Sequence, residues 1–402
     1  MLSLVLFVFS FNLFAASVVS DSILKQRIAI LKLISNLQIN NPTEVLDGSF
    51  PSYRKYYFSS KLKQEDNVFF TSLVLFNIGQ FSTQMHPEEL SILERAKSNA
   101  IIYINRFKNQ NNHLTYNFWP RNPPQIFPNG GWLNLLNKKA ALADDIDDGA
   151  ITLLALGTND AIAKAMQSTF GAYRVGLVKP NRSFYKAYQN RPVYSTWLGT
   201  KMPKDVDLSV LTNVLLMHTK AKISLNATDS ASLDLIVDLV KGNKHLTDPT
   251  YVSQHYANSA TILYHVARLA YYSDYPALLA LKPVLLEQAL ALSKQARFPL
   301  EQLLLNTSIL RLGGKIEFPI DVNEASLKVN NYPYFIANIA SVLNNPFKRI
   351  VNRSNVVRFD YYSYAFNLSL RIVNRSNVVR FDYYSYAFNL SLMYENLMLR
   401  GE

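Results

Sequence analysis

The chain has 402 residues, 49% of them apolar and only 17% charged, so it holds material for a large core and is not an intrinsically disordered polymer. Its 13 glycines and 17 prolines are too few for a collagen-like or linker-dominated protein, and the absence of cysteine excludes disulfides, iron–sulfur clusters, cysteine zinc sites and a cysteine nucleophile. The net charge of +12 is scattered without a Lys/Arg run, which fits a basic surface and excludes nucleic acid as the expected partner.

Met1–Ser20 carries no charged side chain, and its apolar stretch Leu2–Phe14 ends in Ala15-Ala16-Ser17. Small residues at the −3 and −1 positions predict a secretory leader cut after Ser17, and hence a periplasmic or secreted protein. Contact with a membrane is expected only if this segment stays uncleaved as an anchor.

Beyond it the dominant period is helical. Apolar residues recur at three- and four-residue spacing through Leu90–Phe107, Ile151–Leu156, Ala161–Phe170, Val206–Met217, Leu233–Val240, Ala257–Tyr272, Ala277–Leu292, Leu300–Leu312 and Tyr334–Leu343, and the breaks carry proline or polar residues. Strand patterns are short and few. Roughly ten to twelve helices with short connections and no strong linker predict one all-α domain. So many helices suit a solenoid or a closed ring of helical hairpins, and we expect the ring, an α/α toroid over residues 18–348.

Lys108–Ala143 reads as a long ordered loop, rich in aromatic residues, asparagine and proline. Arg349–Leu370 and Arg371–Leu392 are identical, a perfect 22-residue tandem duplication over 349–392 that leaves 393–402 as the C-terminal end. One copy is expected to be helical through Phe359–Leu370 or Phe381–Leu392, with the other at the periphery, because a packed core has a specified place for only one.

The chemistry concentrates in Asp144-Asp145-Ile146-Asp147-Asp148, followed by Gly149-Ala150 and an apolar helix. Four carboxylates in five residues repel one another, and crowding with burial raises at least one pKa enough to keep a proton available for donation. Asp144 or Asp145 is also a good N-cap, with the remaining acids at the positive end of the helix dipole. Trp119 and Trp132 lie just before the cluster with Tyr116, and Trp197 precedes a second acidic helix start at Asp205 and Asp207, followed by Asn213. Aromatic side chains interleaved with acids predict a ligand cavity. No glycine-rich phosphate loop and no Gly-x-Ser-x-Gly elbow occurs and the histidines lack metal-ligand spacing; clustered carboxylates also suit Mg²⁺ or Ca²⁺, so the cofactor stays open.

Asp145-Ile146-Asp147-Asp148 resembles the Asp-x-Asp-Asp motif of class II terpene cyclases, which are built from α/α toroids. That family's motif continues with Thr-Ala where this chain has Gly149-Ala150. The resemblance implies that Asp147 protonates an alkene or epoxide, that Asp145 and Asp148 support it, and that Trp119, Trp132, Trp197 and Tyr116 stabilise cations. Export points elsewhere, to glycan-active α/α barrels in which Asp147 would pair with Asp205 or Asp207. A non-catalytic toroid that binds a small molecule or glycan is the third expectation.

Overall fold

The computed structural model describes residues 21–56, 62–109, 111, 114–122, 143–176, 180–199, 204–316, 332–337, 344–353 and 381–400. The predicted leader, Trp132 and most of the first repeat copy lie outside them. The fold is all-α, with one small sheet.

Its main elements in chain order are α1 (Asp21–Leu37), β1 (Tyr53–Tyr56), β2 (Leu62–Gln64), α2 (Val68–Gly79), α3 (Pro87–Asn105), α4 (Ile146–Leu156), α5 (Asp160–Gly171), α6 (Leu208–Lys220), α7 (Ala227–Lys241), α8 (Ser259–Tyr272), α9 (Lys282–Ser293), α10 (Pro299–Arg311), β3 (Phe335–Ala337), α11 (Phe347–Arg353), β4 (Phe381–Tyr384) and α12 (Tyr386–Arg400). Helix α2 packs on α4, α4 on α6, α6 on α8, α8 on α10, α10 on α12, and α12 back on α2. These contacts form a closed cycle of six helices. The helices between them in sequence pack on the outside: α1 on α12, α3 on α2, α5 and α7 on α6, and α9 on α8 and α10.

Burial follows that division. Eleven of the 12 residues of α2 are buried, against four of 17 in α1 and three of 12 in α5. A helix surrounded by protein needs no polar face. Its few polar side chains stitch neighbours together: Ser72 of α2 bonds Thr152 of α4 (3.0 Å), Asn77 of α2 donates to Ser391 of α12 (3.1 Å), and Asn396 of α12 donates to Thr307 of α10 (3.1 Å).

Seven of the predicted helices appear as single helices, with ends moved by a few residues. Ala277–Leu292 is broken by a turn at Ala280–Leu281 into Pro276–Leu279 and α9. This stretch, Pro276–Ser293, is the described one long and apolar enough by composition to cross a membrane, and it packs as part of the outer layer. Two predicted helices need correction. Residues 335–337 of Tyr334–Leu343 form strand β3, and Phe381–Tyr384 is strand β4, with the helix beginning only at Tyr386. Successive aromatic residues suit a strand once a partner strand is present. The sheet has the order β2-β1-β4-β3 and is antiparallel throughout.

The second repeat copy fills the last place in the cycle. The residues after it explain why: Tyr394 donates to Glu89 (3.1 Å), Glu395 pairs with Arg311, and Asn396 reaches Thr307. The first copy is followed by Arg371-Ile372-Val373-Asn374, which has Ile372 and Val373 where Tyr394 and Glu395 stand after the second copy and repeats only the asparagine.

Candidate functional site

The starts of α2, α4, α6 and α8 meet at one end of the cycle. Ile146 N–H donates to Thr196 O (3.0 Å), Thr196 N–H to Asp205 O (2.8 Å), and His255 N–H to the Asp207 carboxylate (2.9 Å). The predicted acids therefore converge, but each has a different set of partners.

Asp144 precedes the helix and does not share a face with Asp148. Its carboxylate accepts from Asn109 (2.8 Å), Thr115 (2.6 Å), Asn117 (3.1 Å) and Arg121, so it anchors the loop on either side of Tyr116. Tyr116 is buried and bridges to Lys108. Asp145 is the N-cap of α4 and accepts the Asp148 N–H (2.8 Å). Asp147 points into the cycle, where Asn213 Nδ2 donates to its Oδ1 (2.7 Å) and the Tyr256 hydroxyl to its Oδ2 (2.5 Å). Arg268 fixes the Asn213 amide: its Nη2 donates to Asn213 Oδ1 (2.5 Å), and since a guanidinium only donates, Nδ2 must face Asp147.

Asp148 differs from the rest. It is buried, its Oδ2 has no hydrogen-bond partner, and its side chain bonds the Asp145 carboxyl. Burial, then the charges of Asp145 and Asp147, push its pKa well above the ordinary carboxylate range. Burial raises Asp145 as well, but bonds from Asp148 and the charge of His255 pull it back. Burial and the neighbouring charges thus favour the neutral form of Asp148 over that of Asp145, which makes Asp148 the proton carrier of the pair.

Asp147 is raised to about 7 by burial and by Asp145, against the bonds from Tyr256 and Asn213. A carboxyl with a raised folded pKa contributes stability that is complete at low pH and lost as pH rises through the folded value. Asp147→Asn, whose amide satisfies both partners without a charge, is therefore expected to gain on the wild type between pH 4 and pH 8 by up to about 4 kcal/mol. Urea unfolding of both proteins across that range checks this, and parallel pH profiles would contradict it.

Asp205 and Asp207 are fully engaged. Asp205 accepts from Gln254 and His255 Nε2 (3.3 Å), and Asp207 caps α6 and accepts from Ser253 (2.6 Å). They hold the segment Ser253–His255 in place. Burial opposes a charge on His255, but Asp205, Asp207 and Asp145 outweigh it and carry the imidazole up to about 9, so it is cationic at neutral pH. Its ring lies edge-on to Trp197 (6.1 Å between centroids) and is stacked with Phe335 (6.3 Å). Phe335 also meets Phe69 (4.8 Å), Tyr256 (5.3 Å) and Phe118 (6.0 Å), and β3 is tied to the site by Ile336 N–H donating to His255 O (2.8 Å). Trp119 packs against Phe118 and donates to Glu65 (3.1 Å).

The structure thus brings together Asp145, Asp147, Asp148, Trp197, Asp205 and Asp207. It sets Asp144 and Tyr116 to anchoring the loop, and it adds His255, Tyr256, Gln254, Glu65 and Phe335. Asn213, flagged by position alone, proves to be the bond partner of Asp147. Gly149 lets α5 approach closely: a Cβ there would meet the Phe170 ring at 3.2 Å, tighter than an ordinary contact. Among the described residues no group of three or more His, Asp or Glu side chains is arranged to hold a metal ion. A separate surface cleft of about 310 Å3 between α1 and α3, lined by Lys32, Glu88 and Arg95 among others, contains none of the predicted residues.

No protein-family model, no curated protein and no solved structure matches this chain. The likeness to terpene cyclases rests on Asp145–Asp148.

Proposed function

We propose that the six-helix cycle is an α/α toroid and that the acids at its mouth make the protein an exported acid–base enzyme acting on a glycan. The observation that carries this reading is the set of buried polar atoms left without partners beside the Asp145–Asp148 pair: Asp148 Oδ2, Thr196 Oγ1, Trp197 Nε1 and Gln254 Oε1. Buried polar groups are nearly always bonded, so these mark a surface made for a polar ligand. They comprise donors and acceptors, which sugar hydroxyls satisfy and a hydrocarbon does not. In this reading Asp148 delivers its proton to the leaving oxygen as the glycosidic bond breaks, a water adds to the anomeric carbon and returns its proton to the Asp145–Asp148 pair, and His255 and Trp197 form the wall.

A second reading, terpenoid cyclisation with Asp147 as the acid, draws support from the aromatic cluster of Phe69, Phe118, Tyr256 and Phe335, which offers ring faces to a carbocation. Incubation of the full chain with neutral polysaccharides, acidic polysaccharides and polyprenyl substrates separates the two. New reducing or unsaturated sugar ends are expected from a polysaccharide. Cyclised hydrocarbon with no sugar product would overturn the glycan reading.

A further inference from the structure

Lys348, on α11, is the only lysine in the buried set among the described residues, and its Nζ has no hydrogen-bond partner. It lies 4.8 Å from the Tyr251 ring centroid and 5.9 Å from that of Phe184, two rings stacked on each other. Asn345, in the turn just before α11, donates through Nδ2 to Tyr251 Oη (2.7 Å) and Phe184 O (3.0 Å). The Phe184 carbonyl, which only accepts, fixes the amide and leaves Asn345 Oδ1 buried and unpaired. One cationic donor and one acceptor thus stand unsatisfied on the same aromatic surface.

That surface adjoins the acid cluster. Helix α11 packs on the short helix Pro249–Val252, which carries Tyr251, and the next residues are Ser253 and Gln254, bonded to Asp207 and Asp205. The charges of both aspartates reach Lys348, but their oxygens are already bonded elsewhere. Burial lowers the Lys348 ammonium to about 8 in spite of both aspartates; cation–π attraction offsets only part of the cost of keeping it charged, and an anion against Nζ is what would hold it cationic. Arg349, half-exposed over Tyr251 at 5.1 Å, stands on the same side, its charge partly countered by Asp248 at 3.9 Å.

We propose that Lys348 and Asn345 form a subsite that takes the carboxylate and neighbouring hydroxyl of a uronic-acid unit, Nζ pairing with the carboxylate and Asn345 Oδ1 accepting from the hydroxyl. The substrate class is then an acidic glycan. The polymer rests on the glycan reading above; the demand for an anion rests on Lys348 itself. On this side of the cluster the His255 imidazole, carried up to about 9, and Lys348 itself set positive charge against Asp205 and Asp207.

Calorimetric titration of the full chain with a short oligogalacturonate and with its methyl ester tests this. The free acid is expected to bind about tenfold tighter or more. Lys348→Met is expected to bind acid and ester equally while unfolding at no lower denaturant concentration than the wild type, since a buried charge has been removed. Lys348→Gln serves the same comparison should the methionine variant fail to fold. A wild type without preference for the acid, or a preference that survives both substitutions, overturns the subsite. Asp148→Asn keeps the preference even if no glycan is ever turned over, so a failure of the catalytic reading is distinguishable from a failure of the subsite.

Discussion

Asp148→Asn is expected to reduce turnover of the glycan substrate by about 10²–10⁴-fold without loss of fold, because it removes the proton donor and nothing else. The asparagine amide donates to Asp145 as the protonated carboxyl does, and the backbone N–H of residue 148 still bonds the Asp145 cap. Burial and two neighbouring carboxylates raise Asp148, so ionising it in the fold is unfavourable. Its contribution to stability is complete at low pH and lost as pH rises through its raised folded value, so the variant should unfold no earlier than the wild type and later at alkaline pH. Turnover assays alongside circular dichroism check both halves. Full activity in Asp148→Asn would remove this residue from the chemistry. Loss of activity with loss of helicity would return the acids to a capping role.

Glu395→Gln is expected to be the most destabilising conservative substitution in the helix cycle, at about 3–5 kcal/mol. Glu395 and Arg311 form a fully buried ion pair between α12 and α10, with the Tyr264 hydroxyl donating to the other carboxylate oxygen (2.7 Å) and Gln80 accepting from Arg311 (2.8 Å). Arg311 Nε and Nη1 have no partner, so the guanidinium depends on this one carboxylate for its charge balance. Glutamine keeps the size and leaves the charge uncompensated. The loss is a large part of a typical domain's stability of about 5–15 kcal/mol. Urea unfolding measures it, and the double substitution Glu395→Leu with Arg311→Met should recover most of the loss, since replacing both members of a buried pair is often neutral. A drop below about 1 kcal/mol for Glu395→Gln would mean that solvent or another acid compensates Arg311.

Much of this architecture is legible in the chain, and the gaps have physical reasons. The outer helices α3 and α5 announce themselves because one face meets water, so apolar residues recur every three or four positions. Helix α2 does not: Val68–Gly79 is buried all round, and Thr71, Ser72 and Asn77 are bonded inside the protein, so no polar stripe marks its period. Strands β3 and β4 are three and four residues long and exist through pairing with each other and with β1, a contact between residues far apart in sequence. Within the site, Asp145 and Asp207 are readable as caps because an acid precedes each apolar helix. The division of labour between Asp147 and Asp148 is not readable. It is set by Asn213, Tyr256 and Arg268, which arrive from α6, from the segment before α8 and from α8. His255 gives no pattern in sequence either, since its charge comes from Asp205, Asp207 and Asp145 on two other segments.

The retained proton is the central claim, and infrared spectroscopy of the carboxyl groups tests it most directly. In an Asp147→Asn background, which removes the other raised carboxyl, the protein at pH 7 is expected to show a protonated-carboxyl carbonyl band that Asp148→Asn abolishes and that Asp205→Asn leaves in place. A protein whose carboxyl groups are all ionised at pH 7 in that background would contradict the retained proton, and with it the assignment of Asp148 as the acid.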